Sequence, residues 1–365
     1  MPLSKRSRHR LTLTGRVVVS AGMLVFLLTK IEAQGRAALP DWTGATALWI
    51  AGAMVLTLLS IVLSALRWQV VLNALGQPTR LNRLLSHYLA GQFVANVLPT
   101  TIGGDVLRVS RLARDTRSMP DSVASVVLER LTGWLVLPVI TFVGLLVNPP
   151  LQDLGRATQV SFSLACGTLV GLVLVLGGVA AKRLGEVDAE KGWKRFLAAV
   201  SLGLSRLRAH PRHAAIVLAV GFAYQLVLIA SAVMAARALG IPDAGPTALL
   251  AFFPAVAIAQ VLPISISGLG VREGLFALFL QPLGVATAEA VALGILLYLL
   301  NLVVSLLGAP AFAVGGRQRP GDDAIDPDTR VLPAPTDRPD GPDGPDRPDR
   351  PMGPAAPDDP TSIPA

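Results

Sequence analysis

The chain has 365 residues, of which 52% are hydrophobic and only 15% charged, and the apolar residues fall in long runs. That composition excludes an ordinary soluble domain and points to a chain that crosses a membrane repeatedly. The net charge of +8 divides unevenly: residues 316–365 hold eleven Asp and six Arg, a balance of −5, so the rest of the chain carries +13. These basic residues flank apolar spans, as the positive-inside rule expects, and do not describe a nucleic-acid surface.

Residues 1–16 contain Lys5, Arg6, Arg8, Arg10 and Arg16, and an apolar run follows from Val17 to Leu28. The same pattern describes a signal peptide. We read it as a first helix anchored by cytosolic basic residues, with Lys30 snorkelling at the far side. A second span is expected at about 45–66, ending at Arg67-Trp68 as an interfacial cation and aromatic, with Arg80 and Arg83 marking the cytosol.

The stretch at about 84–105 contains a break, Asn96-Val97-Leu98-Pro99-Thr100-Thr101-Ile102-Gly103-Gly104-Asp105, with Arg108 just beyond it. Irregular backbone in contact with lipid leaves unpaired polar groups that cost several kcal/mol each, so such a break must be buried in protein or line a wet cavity. Arginines on both flanks imply entry and exit on the cytosolic side, hence a re-entrant hairpin. Spans follow at about 122–147, with Pro138 a kink candidate, at about 159–181, and at about 214–238. Between the last two, the basic stretch from Trp193 to Leu207 has apolar residues at helical spacing and reads equally as a surface helix on an anionic leaflet or as a plain connector.

A second broken segment occupies 247–283, with Pro254, Pro263, Gly268 and Gly270, and a last span is expected at about 286–314. Aligned without a gap, 95–108 and 259–272 match at Ala95, Val97, Leu98, Pro99, Ile102, Gly104 and Arg108, seven of fourteen positions at an offset of 164 residues. Three spans separate the two segments, so the repeats should have opposite orientation, a recurring transporter plan. The expected fold is an all-α polytopic membrane protein with about six full transmembrane helices plus two opposed re-entrant broken-helix hairpins related as an inverted repeat. Residues 1–315 would form this membrane domain, and 316–365, rich in Pro, Asp and Arg, a disordered cytosolic tail. On that layout 22 Lys or Arg lie inside and four outside, which places both termini in the cytosol and the protein in the cell membrane.

Arg108 and Arg272 lead the candidate site residues, since each follows its break by the same distance. A guanidinium beside glycine-freed amides suits a phosphate, and Gly103, Gly104, Gly268 and Gly270 would shape that cavity. Asn96 and its counterpart Gln260 could satisfy backbone freed by the prolines or touch substrate. Asp105, Glu129, Arg130 and Glu273 are ionisable residues at membrane depth, costly by about 2.5–3.5 kcal/mol each on insertion scales and therefore expected to pair. They would serve as structural ion pairs, or as gating and coupling groups. The single cysteine, Cys166, lies in an apolar run, and the four histidines are scattered, so neither a disulfide nor a zinc site is expected. No Walker loop, His-Glu-x-x-His or Gly-x-Ser-x-Gly is present, so no cofactor and no enzyme activity are expected.

The pattern Arg67-Trp68, Tyr88, Gly91, Phe93, Asn96, Leu98-Pro99, Gly103-Gly104-Asp105, Arg108, Glu129-Arg130, Gly133 and then Gly268, Gly270, Arg272-Glu273-Gly274 resembles the lysylphosphatidylglycerol synthase transmembrane-region family, over about residues 12–315. The resemblance implies a flippase-like membrane protein that moves an anionic phospholipid or a lipid-linked (polyprenyl-phosphate) precursor between leaflets. In bifunctional members a separate soluble domain makes the aminoacylated lipid. Here only the tail follows, so the cargo stays open, and the synthase activity is not expected. A rival reading is a non-transporting membrane subunit that recruits a cell-envelope lipid or glycan enzyme; a further one is an intramembrane transferase centred on Asp105.

Overall fold

The structure, a computed structural model, describes residues 42–97, 103–181, 201, 203–261 and 268–314. The described residues are helical nearly throughout and contain no strand. Ten α-helices carry the fold: α1 Gly44–Ala74, α2 Leu81–Val97, α3 Gly103–Thr116, α4 Met119–Val147, α5 Arg156–Ala181, α6 Pro211–Ala238, α7 Pro246–Ala259, α8 Val271–Leu280, α9 Thr287–Leu306 and α10 Gly308–Val314. Five of them, α1, α4, α5, α6 and α9, are long and apolar enough to cross a membrane. The first expected span at 17–28, the cytosolic N-terminal cluster, most of the basic stretch before 201, the break residues 98–102 and 262–267, and the tail all lie outside the described residues.

Local sequence explains where the helices begin. Thr43 caps α1 through a capping box with Thr46. Ser118 accepts from the Asp121 amide at the start of α4, where Pro120 occupies a position whose N–H would have no helical partner. α6 and α7 also open on proline, at Pro211 and Pro246. In α8 the carboxylate of Glu273 reaches back 2.6 Å to accept from the Gly270 amide, so the helix restarts immediately after the second break.

α2 and α3 form one helix–break–helix pair, α7 and α8 the other, and the candidate spans α4, α5 and α6 separate them. The pair α2/α3 is close-packed: a methyl group built at Gly104 would overlap the Gly91 carbonyl oxygen, so only glycine permits this approach. The outgoing arm runs on to Thr116, well past the expected limit of 105, because Gly104, Arg108, Arg111 and Leu112 recur at helical spacing on one buried face. Arg108 and Arg111 therefore belong to that buried face.

The core of the second half is built from α4, α6, α7, α8 and α9. Phe252 of α7 stacks on Phe279 of α8 with centroids 5.0 Å apart, and Val136, Ile140, Ile229 and Leu293 fill the space around them. α4 is central: half of its most apolar window is buried in protein, against 17% for α5 at the periphery. Two expectations are corrected. α1 continues to Ala74, and Arg67 and Trp68 are buried at 4% and 0% exposure, because both face α4. The last span divides at Leu307, after which the short α10 packs against α2 with Phe312 on Phe93.

Candidate functional site

The first broken segment carries an ion network. Glu129, on α4 and only 1% exposed, accepts from Arg67 of α1 through Oε1 and from both terminal nitrogens of Arg108 through Oε2, at 3.3 Å each. Arg108 also reaches Asp105 at 3.3 Å, and Asp105 accepts from Arg130 at 2.9 and 3.0 Å. The Arg108 guanidinium lies between the rings of Trp68 and Tyr88, 4.3 and 4.4 Å from their centroids. Trp68 is held in turn by Nε1–H donating to Ser125 at 3.0 Å. Glycines make room for this cluster: Gly133 and Gly221 border the Arg67 guanidinium, where a Cβ at Gly133 would stand 3.1 Å from Nη1.

Four of the residues singled out in the sequence, Asp105, Arg108, Glu129 and Arg130, thus meet in one cluster. As expected, Glu129 and Arg130, adjacent in sequence, pair with different partners. Arg67 is the member the sequence reading placed at an interface. A signal was available, because Val70, Val71 and Leu72 continue the apolar run beyond it. Three arginines face two carboxylates, and Nε and Nη1 of Arg67 have no hydrogen-bond partner among the described residues.

The second broken segment is built differently. Gly268 and Gly270 have φ of 75° and 82°, left-handed backbone that glycine adopts without strain, and they turn the chain into α8. Arg272 donates through Nε to the Gln260 Oε1 at 3.1 Å and lies 5.3 Å from the Tyr298 ring centroid. Glu273 is fully buried against Gly294 of α9; its Oε2 caps Gly270, and its Oε1 has no partner among the described residues. At the offset of 164 residues, the Asp105 position falls on Leu269 and the Glu129 position on Leu293. Both carboxylates that neutralise Arg108 thus have leucine as their counterpart.

Between the two segments lies a cavity of about 150 Å³. Its polar lining is Thr57 and Ser60 from α1, Gln92 from α2, Tyr224 and Ser231 from α6, Gln260 at the end of α7, Arg272 from α8 and Asn301 from α9. Thr57 and Ser60 flank the midpoint of α1, and Tyr224 sits at the midpoint of α6, so the cavity stands midway along two candidate spans. Arg272 lines the cavity; Arg108, Asp105, Glu129, Arg130 and Glu273 do not. Asn96 also stays outside it, with Nδ2 buried and without a partner among the described residues. Gly103 and Gly104 open α3 beside the ion network rather than the cavity. Tyr224 links the two regions, because its ring lies 5.1 Å from the Arg67 guanidinium.

The described residues thus form an all-helical polytopic membrane protein with a polar, arginine-bearing cavity. The chain belongs to the lysylphosphatidylglycerol synthase transmembrane-region family, whose model matches residues 13–308. Membership implies a membrane-embedded function related to lipids. Comparison with curated proteins gives no match.

Proposed function

We propose that the protein moves a lipid with an anionic head group between leaflets, the head group passing through this cavity. The observation that carries this reading is Arg272, an arginine in a polar cavity midway along two candidate spans. Gln260 and the Tyr298 ring hold this guanidinium at the cavity, and a phosphodiester there would add charge-assisted hydrogen bonds. Gln260 orients the guanidinium through Nε, and Gly268 and Gly270 let the chain turn into α8, which carries Arg272. The network around Glu129 would hold the first segment against α1 and α4, so that the second segment moves against a fixed partner. No nucleotide motif occurs in the sequence, and the driving force in this reading is an ion gradient or consumption of the lipid beyond the membrane.

The test is a leaflet assay in reconstituted vesicles containing a fluorescent anionic phospholipid. Wild type should expose the probe faster than protein-free vesicles, and Arg272→Gln should slow it roughly tenfold, the equivalent of about 1.4 kcal/mol. If wild type matches protein-free vesicles, lipid transport is wrong and the recruiting-subunit reading takes its place.

A further inference from the structure

Glu273 stands in the same turn of α8 as Arg272 but faces another way. Arg272 and Phe276 line the cavity, whereas the Glu273 side chain lies against Gly294 of α9. A Cβ at Gly294 would stand 3.1 Å from the Glu273 Cγ and 3.2 Å from its Cα, so a glycine there lets α9 close over the carboxyl group. The side chain is fully buried. Its Oε2 accepts from the Gly270 amide at 2.6 Å, and its Oε1 has no hydrogen-bond partner among the described residues.

The charged and titratable groups around it are few. α8 packs against α7, α9 and α5. Along Pro246–Ala259, α7 has no titratable side chain, and α5 offers only Arg156 and Cys166. α9 offers Glu289, which accepts from its own Ala286 amide, and Tyr298, whose ring lies by Arg272. On α8 itself the neighbour is Arg272, turned to Gln260. None of these groups comes within hydrogen-bond reach of Oε1. A carboxylate held this way is costly, because one oxygen is taken from water and given nothing in return. A proton on Oε1 removes the charge and leaves Oε2 able to accept from Gly270.

The consequence for the cavity follows from Coulomb's law. A negative charge on the residue next to Arg272 would oppose any anion that the guanidinium takes, and a neutral carboxyl group would not. Proton and anion thus favour each other, and by linkage the effect is reciprocal. The first repeat has no such device: at the offset of 164 residues Glu273 falls on Val109.

We infer that Glu273 is a proton site linked to the anion site at Arg272, so that each anionic lipid enters the cavity together with one proton. This rests on the lipid reading above and names the ion whose gradient drives the movement. The lipid's one negative charge and the proton's positive charge travel as a pair, and the step carries no net charge.

The experiment uses the full chain in nanodiscs of neutral lipid, with fluorescent phosphatidylglycerol as the probe, since its phosphodiester stays charged through the neutral and mildly acidic range. Wild-type binding should strengthen as pH falls, by up to about tenfold per pH unit, the limit for one linked proton. Glu273→Gln keeps an oxygen for Gly270 and should bind at the low-pH level throughout, with the slope gone. A second readout needs no variant at Glu273 and so stands even if that variant folds poorly. In weakly buffered solution with an indicator dye, lipid binding to wild type should take up protons, and Arg272→Gln should abolish the uptake. A flat wild-type profile without proton uptake overturns the linkage. A slope that persists in Glu273→Gln also overturns it and moves the proton to another group, such as His87 beside Asp115. In sealed vesicles, proton-linked binding without leaflet exchange keeps the linkage and overturns transport. Exchange that ignores an imposed pH gradient keeps transport and overturns the linkage, so the two claims fail separately.

Discussion

Glu129 is the residue on which the first half of the protein rests, and its charge is the perturbation to try first. In Glu129→Gln the shape survives and one oxygen can still accept, but Arg67 and Arg108 lose their shared counter-charge. Arg108 keeps Asp105 at 3.3 Å, whereas Arg67 keeps no carboxylate among the described residues. Breaking a buried ion pair from one side costs about 3–5 kcal/mol, and the surviving hydrogen bond puts this case near the lower figure. Against a total stability of about 5–15 kcal/mol, that is a large fraction. The assay is unfolding by sodium dodecyl sulfate in mixed micelles, run as a cycle of Arg67→Gln, Glu129→Gln and both together. The double variant should be less destabilised than the sum of the singles by roughly 1–3 kcal/mol, since each single leaves a buried charge behind. Additivity within about 0.5 kcal/mol would refute the idea that this pair is coupled.

Other expectations follow from close contacts. Gly104→Ala should lower stability by about 1–3 kcal/mol in the same assay, since its methyl meets the Gly91 carbonyl. Gly167→Ala, on the open face of α5 with nothing within 4 Å, should be neutral or stabilising by up to about 1 kcal/mol. Arg111→Ala should free α10, because Arg111 donates to the Ala311 and Phe312 carbonyls at 2.9 Å each; hydrogen exchange after Leu306 should rise, and charge-assisted bonds of this kind are worth about 1.5–3 kcal/mol. Arg272→Lys should slow lipid exposure about as much as Arg272→Gln, since an ammonium cannot hold Gln260 and a phosphate in the same plane.

Much of the architecture was legible in the sequence because its signals are strong and additive. Apolar runs of span length, prolines and paired glycines gave all five candidate spans among the described residues, both broken segments and the three-span separation between them. The boundaries that shifted did so for tertiary reasons. Arg67 looks interfacial by composition, and only packing against Glu129 explains a cation that deep. Arg108 and Arg111 look like positive-inside residues, yet their spacing with Gly104 and Leu112 is that of a buried helical face. The cavity was the least legible part. Thr57, Ser60, Ser231 and Asn301 are single polar residues in long apolar runs, and such residues usually bond their own helix. Only the convergence of six helices gives them a common function.

The two repeats carry the same arginine in opposite electrostatic settings, and that difference can be tested by making them alike. Arg108 has Asp105 three residues before it, while Leu269 stands three residues before Arg272. Leu269→Asp places a carboxylate at the equivalent position of the second repeat, in the turn that leads into α8 three residues before Arg272. The added negative charge would oppose the guanidinium without removing it. Lipid exposure in vesicles should fall roughly tenfold, about 1.4 kcal/mol, matching Arg272→Gln. Leu269→Asn, equal in size and uncharged, should stay near the wild-type rate, so that bulk and polarity are separated from charge. If Asp and Asn behave alike, or if Asp leaves the rate unchanged, then the positive charge of Arg272 is not what moves the head group, and the cavity must act through its hydroxyls and amides alone.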